Sequence, residues 1–87
     1  MWTIEFDAKV DKDMARLAPK ERQRILRFLK ERVAPLDNPR DLGEALAGPL
    51  SGYWKYRVGD YRIIARFENL QMVIFVVRVG NRREVYR

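Results

Sequence analysis

The chain contains no cysteine and no histidine in 87 residues. Without cysteine there is no disulfide, no thiolate nucleophile and no Cys-based metal site. Without histidine the usual general base and the commonest metal ligand are missing. No apolar run approaches the ~20 residues a membrane helix needs, and no basic start followed by an apolar stretch marks a signal peptide. Five glycines and four prolines are few, and most of them fall between Pro35 and Gly52. These absences predict a cytoplasmic, soluble protein, one domain over residues 1–87, with no metal, no cofactor and no membrane partner. What is present is enough apolar material for a core: 47% hydrophobic residues beside 34% charged ones is a globular composition.

The net charge of +6 is unevenly spread. Residues 1–44 hold ten Lys/Arg against nine Asp/Glu, whereas residues 45–87 hold eight against three, Asp60, Glu68 and Glu84. Seven of those eight are arginine, the residue suited to bidentate phosphate contact. A basic C-terminal half short of acids points to a polyanionic partner, above all nucleic acid. In the first half Arg24, Arg27 and Arg32 lie near Glu21 and Glu31 and read as an ordinary solvated helix face.

Periodicity divides the chain. Trp2 to Asp7 alternates apolar and polar, as a strand with one buried face does. Val10, Met14 and Leu17 then fall at helical spacing. Pro19 suits the first turn of a second helix carrying Ile25, Leu26, Phe28, Leu29 and Val33, limited by Pro35. The two helices form a hairpin jointed at Leu17 to Lys20. Pro35 to Ser51 is mostly loop, with Asp41 to Leu46 its one candidate helical turn, and Leu42, Leu46 and Leu50 pinning it to the core. Tyr53–Val58 and Tyr61–Glu68 are strands joined by Gly59-Asp60, glycine first, as a tight primed hairpin turn requires. Met72 to Val79 is almost wholly apolar and β-branched, which predicts a central strand. The fold class is therefore α+β: an N-terminal strand, a helical hairpin, then antiparallel strands forming a four-stranded sheet with the helices packed on one face. The first strand most simply joins beside the last.

Strand alternation assigns the cations. Tyr53, Lys55 and Arg57 share one face, with Trp54, Tyr56 and Val58 on the other. Arg62, Ile64 and Arg66 share a face opposite Tyr61, Ile63, Ala65 and Phe67, and Arg78 is in phase with Met72, Ile74 and Val76. If the helices cover the more apolar face, the other displays Lys55, Arg57, Arg62, Arg66 and Arg78, edged by Tyr53 and by a tail with Arg82, Arg83 and Tyr86. Such a face suits nucleic acid, whose phosphates pair with cations and whose bases stack on aromatic rings. Arg and Lys are also the ordinary residues of a solvated sheet face, and it is the shared phase of three strands that favours a groove.

The stretches GPLSGYWKYRVGDYRIIARF, opening at Gly48, and VVRVGNRREVYR, opening at Val76, resemble the RelE toxins of the RelE/ParE superfamily of type II toxin–antitoxin systems. Element order, length and basic charge agree with that family over nearly the whole chain, and the terminal VG-RREVY favours the RelE branch. The resemblance implies a toxin that enters the decoding site of the ribosome and cuts mRNA there, inhibiting translation. The cut is made by attack of the substrate's own 2′-hydroxyl on the adjacent phosphate, so this endoribonuclease (an mRNA interferase) needs no metal. It carries the catalytic set onto Lys55, Arg62, Arg82 and Tyr86. Arg62 and Arg82 would stabilise charge on the scissile phosphate. Lys55 would help withdraw the 2′-hydroxyl proton, and Tyr86 would stack on or orient the base. Tyr53, Arg57, Arg66, Arg78 and Arg83 would bind RNA around them. Tyr53 stands where some family members have a second lysine. The partners implied are the ribosome, mRNA and a small acidic RelB-like antitoxin, docked on apolar surface of the helical hairpin such as Phe28, with operator DNA bound only by the toxin–antitoxin pair. A ParE-like toxin acting on DNA gyrase, or a non-catalytic basic RNA- or ribosome-binding module, would share the composition.

Overall fold

The computed structural model describes residues 1–85. Its elements run β1 (Thr3–Phe6), α1 (Ala8–Ala15), α2 (Pro19–Phe28), β2 (Glu44–Ala45), β3 (Trp54–Val58), β4 (Tyr61–Glu68) and β5 (Val73–Asn81). Asp7 caps α1, its side chain accepting from the Lys9 N–H, and Pro19 opens α2. Beyond Phe28 the helix widens into a π-helical turn, Leu29–Val33, closed by the Ala34 N–H on the Leu29 carbonyl at 2.9 Å. This turn keeps Leu29 and Val33 buried and carries Ala34 to β1, where its carbonyl accepts from the Trp2 N–H at 3.0 Å.

The sheet has the order β1-β5-β4-β3-β2. The first strand lies beside the last, as expected, but runs parallel to it, Thr3 opposite Val73 and Phe6 opposite Val76, so the sheet is mixed. It also has a fifth strand. Glu44-Ala45, placed by sequence in a loop or helical turn, pairs antiparallel with Lys55 and Trp54. The helical piece of this segment is a short 3₁₀ turn further upstream, Pro39–Leu42, with a second at Gly48–Leu50.

The helices cover one face only. Val10, Met14, Leu17, Ile25, Leu29 and Val33 meet Tyr56, Ile63, Ala65, Ile74, Val76 and Val79 in one buried cluster. At about 25 cal/mol per Å² of apolar surface, such burial is the main force holding the hairpin to the sheet. Phe28 belongs to this packing: it is half-buried, its ring edge-on to Tyr56 at 6.1 Å, and so is not the free docking strip expected of it. Leu26 is the exposed apolar residue of α2. The connector is pinned only in part as expected, with Leu46 and Leu50 half-buried. Leu42 is exposed, whereas Pro39 is buried and the Arg40 guanidinium stacks on Phe67 at 4.2 Å. Among the described residues no helix is long and apolar enough to cross a membrane.

Candidate functional site

The uncovered face is organised by strand register. Arg57 lies opposite Arg62, and Arg62 opposite Gly80. In the next row Glu44, Lys55, Ile64 and Arg78 line up across four strands. Beyond them Arg66 lies opposite Phe75, its guanidinium stacked 4.3 Å over the ring. The row holding Arg78 depends on an irregularity that sequence phase did not show. Ile64 pairs with Arg78 but Ala65 pairs with Val76, so Val77 is an extra residue in β5. Val76 and Ile74 therefore face the helices while Arg78 faces the open side. The sequence reading put Arg78 in phase with them; the bulge is what separates them.

The Arg62 side chain and the Arg82 backbone both bond the Gly59-Asp60 turn. Arg62 Nη1 donates to the carbonyls of Gly59 at 3.1 Å and Tyr61 at 3.0 Å, and the Arg82 N–H donates to the Asp60 carbonyl at 3.0 Å. Gly59 has a positive φ of 60°, the conformation a primed turn needs at its first central residue. Sequence expected Arg62 to stand out from the sheet, but it is only 8% exposed. Its charge is desolvated and fixed against turn carbonyls, which leaves little rotamer freedom to lose when it meets an anion. Arg82 and Arg83 are exposed, and the tail is turned by Asn81, whose side chain accepts from the Arg83 N–H at 3.1 Å.

Two acids from the first half of the chain reach this face. Glu44 Oε2 lies 3.2 Å from Lys55 Nζ, and Asp13 Oδ2 lies 3.5 Å from Arg78 Nε. Neither was expected. Counting charges by sequence half separated these carboxylates from the cations they meet, and only the pairing of Glu44 in β2 and the run of α1 beside β5 bring them over. Lys55 is thus beside a carboxylate rather than among cations alone, and its side chain is 22% exposed.

Between the tail, the 47–50 loop and α1 lies an open groove of about 650 Å³. Its floor is apolar, from Ile64, Val77, Val85 and Leu50, while Lys9, Tyr53 and Arg78 supply polar edges, and among the described residues no acid lines it. An apolar floor with an aromatic and cationic rim accepts an unstacked base and its phosphate. Lys9 in α1 is a further contributor, which strand phase could not reveal. Of the residues the resemblance marked, Lys55, Arg62 and Arg82 lie on or at the end of one face, joined there by Tyr53, Arg57, Arg66 and Arg78; Tyr86 lies outside the described residues. Among the described residues no cluster of three His, Cys, Asp or Glu side chains could hold a metal ion.

Comparison with known proteins agrees with this architecture. Residues 4–86 match the family model described as the ParE toxin of type II toxin–antitoxin systems. Toxin RelG of Mycobacterium tuberculosis is 24% identical over 86 residues, 99% of this chain and 97% of its own. The RelBE2 toxin–antitoxin complex of M. tuberculosis contains a chain that superposes with a TM-score of 0.81 at 24% identity, covering 93% of this chain and 98% of that one. For the E. coli RelBE complex the TM-score is 0.72 at 19% identity, covering 93% and 96%. For the RelB–RelE complex of Methanococcus jannaschii it is 0.70 at 26%, covering 93% of each chain. The chain belongs to the ParE toxin family of type II toxin–antitoxin systems, within the RelE/ParE superfamily.

Proposed function

We propose that this toxin is a metal-independent endoribonuclease that cuts mRNA in the decoding site of the ribosome, and so inhibits translation in the cytoplasm. The observation that carries the reading is a buried Arg62 whose guanidinium is held on the hairpin turn, the turn that the Arg82 backbone also bonds, at the end of a face that holds Lys55. In the reaction the substrate's 2′-oxygen bonds to phosphorus, the bond from phosphorus to the 5′-oxygen breaks, and the electron pair leaves on that oxygen. The proton lost from the 2′-hydroxyl and the one gained by the 5′-oxygen balance. Arg62 and Arg82 suit the growing phosphorane charge, Arg62 being already desolvated and held. Lys55 suits the 2′-oxygen. Glu44, whose Oε2 lies 3.2 Å from Lys55 Nζ, is a carboxylate placed beside it. Tyr86 and Tyr53 would orient the base, and Arg57, Arg66, Arg78 and Arg83 would guide the flanking strand. None of these groups is a strong base at neutral pH, so alignment by the ribosome would supply much of the rate. The partner that restrains the toxin would be an acidic RelB-like antitoxin, by analogy with the toxin–antitoxin complexes that share the fold.

The test is to add purified protein to translating ribosomes and map new mRNA ends by primer extension, with naked mRNA in parallel. Cuts at decoding-site codons that need the ribosome are expected. Arg82→Ala removes an exposed side chain and keeps the N–H bond to Asp60, so it should stay folded and lose cleavage by about 100-fold or more, the scale for one charge-stabilising donor. The family model is described as a ParE toxin, and for a ParE-like toxin the resemblance implies a second reading, action on DNA gyrase. Intact messages with a folded protein, and gyrase-dependent DNA cleavage in its place, would establish that one.

A further inference from the structure

Asp13 sits in α1, 66 residues from the strand it touches. Its side chain is only 10% exposed. A carboxylate so covered is costly unless its oxygens are engaged. Its Oδ2 accepts from the Val79 N–H at 2.9 Å and faces Arg78 Nε at 3.5 Å. The reason for this placement is visible in the topology. β1 covers the edge of β5 as far as Val76, whose carbonyl takes the Asp7 N–H at 2.9 Å. There the chain turns into α1, and the edge of β5 is open just where the bulge at Val77 throws Arg78 to the groove. Asp13 meets both consequences, the free N–H of Val79 and the arginine beside it.

We propose that Asp13 is a positioning residue for the groove: by engaging Arg78 through Nε, it holds the guanidinium at the rim and leaves the Nη groups for an RNA phosphate. Among the described residues those Nη groups have no hydrogen-bond partner. Arginine recognises an oxyanion through a planar fork, and a carboxylate 3.5 Å from the Nε edge holds the cation nearby by charge without consuming the pair of Nη donors. This inference rests on the reading of the groove as an RNA site.

The sign of the effect makes it testable. On charge alone, removing a carboxylate beside a polyanion site should tighten RNA binding. If Asp13 positions Arg78, Asp13→Asn should instead weaken it, by about three- to ten-fold, the cost of immobilising one long side chain on binding. Asparagine keeps an acceptor for the Val79 N–H, so the strand edge stays capped. The experiment measures binding of a short fluorescein-labelled single-stranded RNA to wild type, Asp13→Asn, Arg78→Ala and the double variant, each with its thermal midpoint recorded. The expected result is a loss in each single variant and no further loss in the double, with Asp13→Asn folded as wild type. Unchanged or tighter binding by Asp13→Asn, or a full additional loss in the double variant, overturns the proposal. Arg82→Ala is the control for the reading beneath it. If Arg82→Ala weakens binding and Arg78→Ala does not, this inference alone falls; if neither weakens it, the RNA groove falls too.

Discussion

Tyr56 joins three parts of the molecule through one side chain. It is fully buried, its hydroxyl donates to the Pro39 carbonyl at 2.6 Å, and Phe28 meets it edge-on. Gly43 leaves room for the connector to pass: a Cβ there would stand 3.2 Å from the Tyr56 ring. Burial pushes the phenol above its ordinary value, against the opposing pull of the Arg40 charge. In the unfolded chain it would titrate at about 10. The folded state therefore favours the neutral phenol, and this contribution to stability is complete below the unfolded value and lost as pH rises above it. Tyr56→Phe should cost about 1–3 kcal/mol at pH 7, because the Pro39 carbonyl loses its buried donor. The same variant should show a shallower loss of stability between about pH 9.5 and 11.5 than wild type, measured by urea unfolding. An equal alkaline slope in both proteins would assign the loss to other groups. The inward position of Tyr56 was legible from strand alternation, since its neighbours Lys55 and Arg57 cannot be the buried face. Its partner Pro39 was not, because a carbonyl seventeen residues upstream leaves no mark on the local pattern.

Elements written by local chemistry were the readable ones. Gly59-Asp60 specified its turn, Pro19 its helix start, and Val10, Met14 and Leu17 their buried stripe. The elements that escaped are set by pairing with distant chain. β2 is only two residues long and has strand character because Lys55 and Trp54 are there to bond it. The bulge at Val77 exists because β5 must satisfy β4 on one side while β1 and α1 share the other. No residue in the run Val73–Val79 announces it. The turn offers a test at this scale. A side chain at Gly59 meets both a positive φ of 60° and the Arg24 guanidinium, whose Nη1 would lie 2.9 Å from a Cβ. The arginine tip can swing away, so the backbone term should dominate. Gly59→Ala is expected to cost about 1–2 kcal/mol, and Gly59→Asn less, since asparagine tolerates the left-handed region. Because the Gly59 carbonyl also holds Arg62, Gly59→Ala should reduce RNA cleavage more than its stability loss explains. Cleavage by the alanine variant at full wild-type rate would show that Arg62 does not depend on the turn.

At the scale of the whole molecule, charge arranged by fold differs from charge counted along the chain. The second half is the basic one, yet Glu44 and Asp13 come from the first half to sit on Lys55 and Arg78, and Lys9 joins the groove from α1. The site's arginines were legible because three strands carry them in sequence; its carboxylates were not, because only the sheet order and the course of α1 deliver them. If the net charge of +6 acted as a diffuse field, any cation would serve RNA binding about equally. If the open face is the site, only its cations should count. Single-stranded nucleic acid releases counterions with a slope of about −0.7 in log affinity against log salt for each phosphate neutralised. If about four of the site's arginines each engage a phosphate, the slope is about −3. Arg82→Ala should reduce its magnitude by about 0.7, whereas Arg27→Ala, on the exposed side of α2, should leave it unchanged. Titrations of labelled RNA from low to physiological salt give both slopes. An equal change in the two variants would mean that the protein meets RNA through its overall charge, and the open face would then have no privileged role.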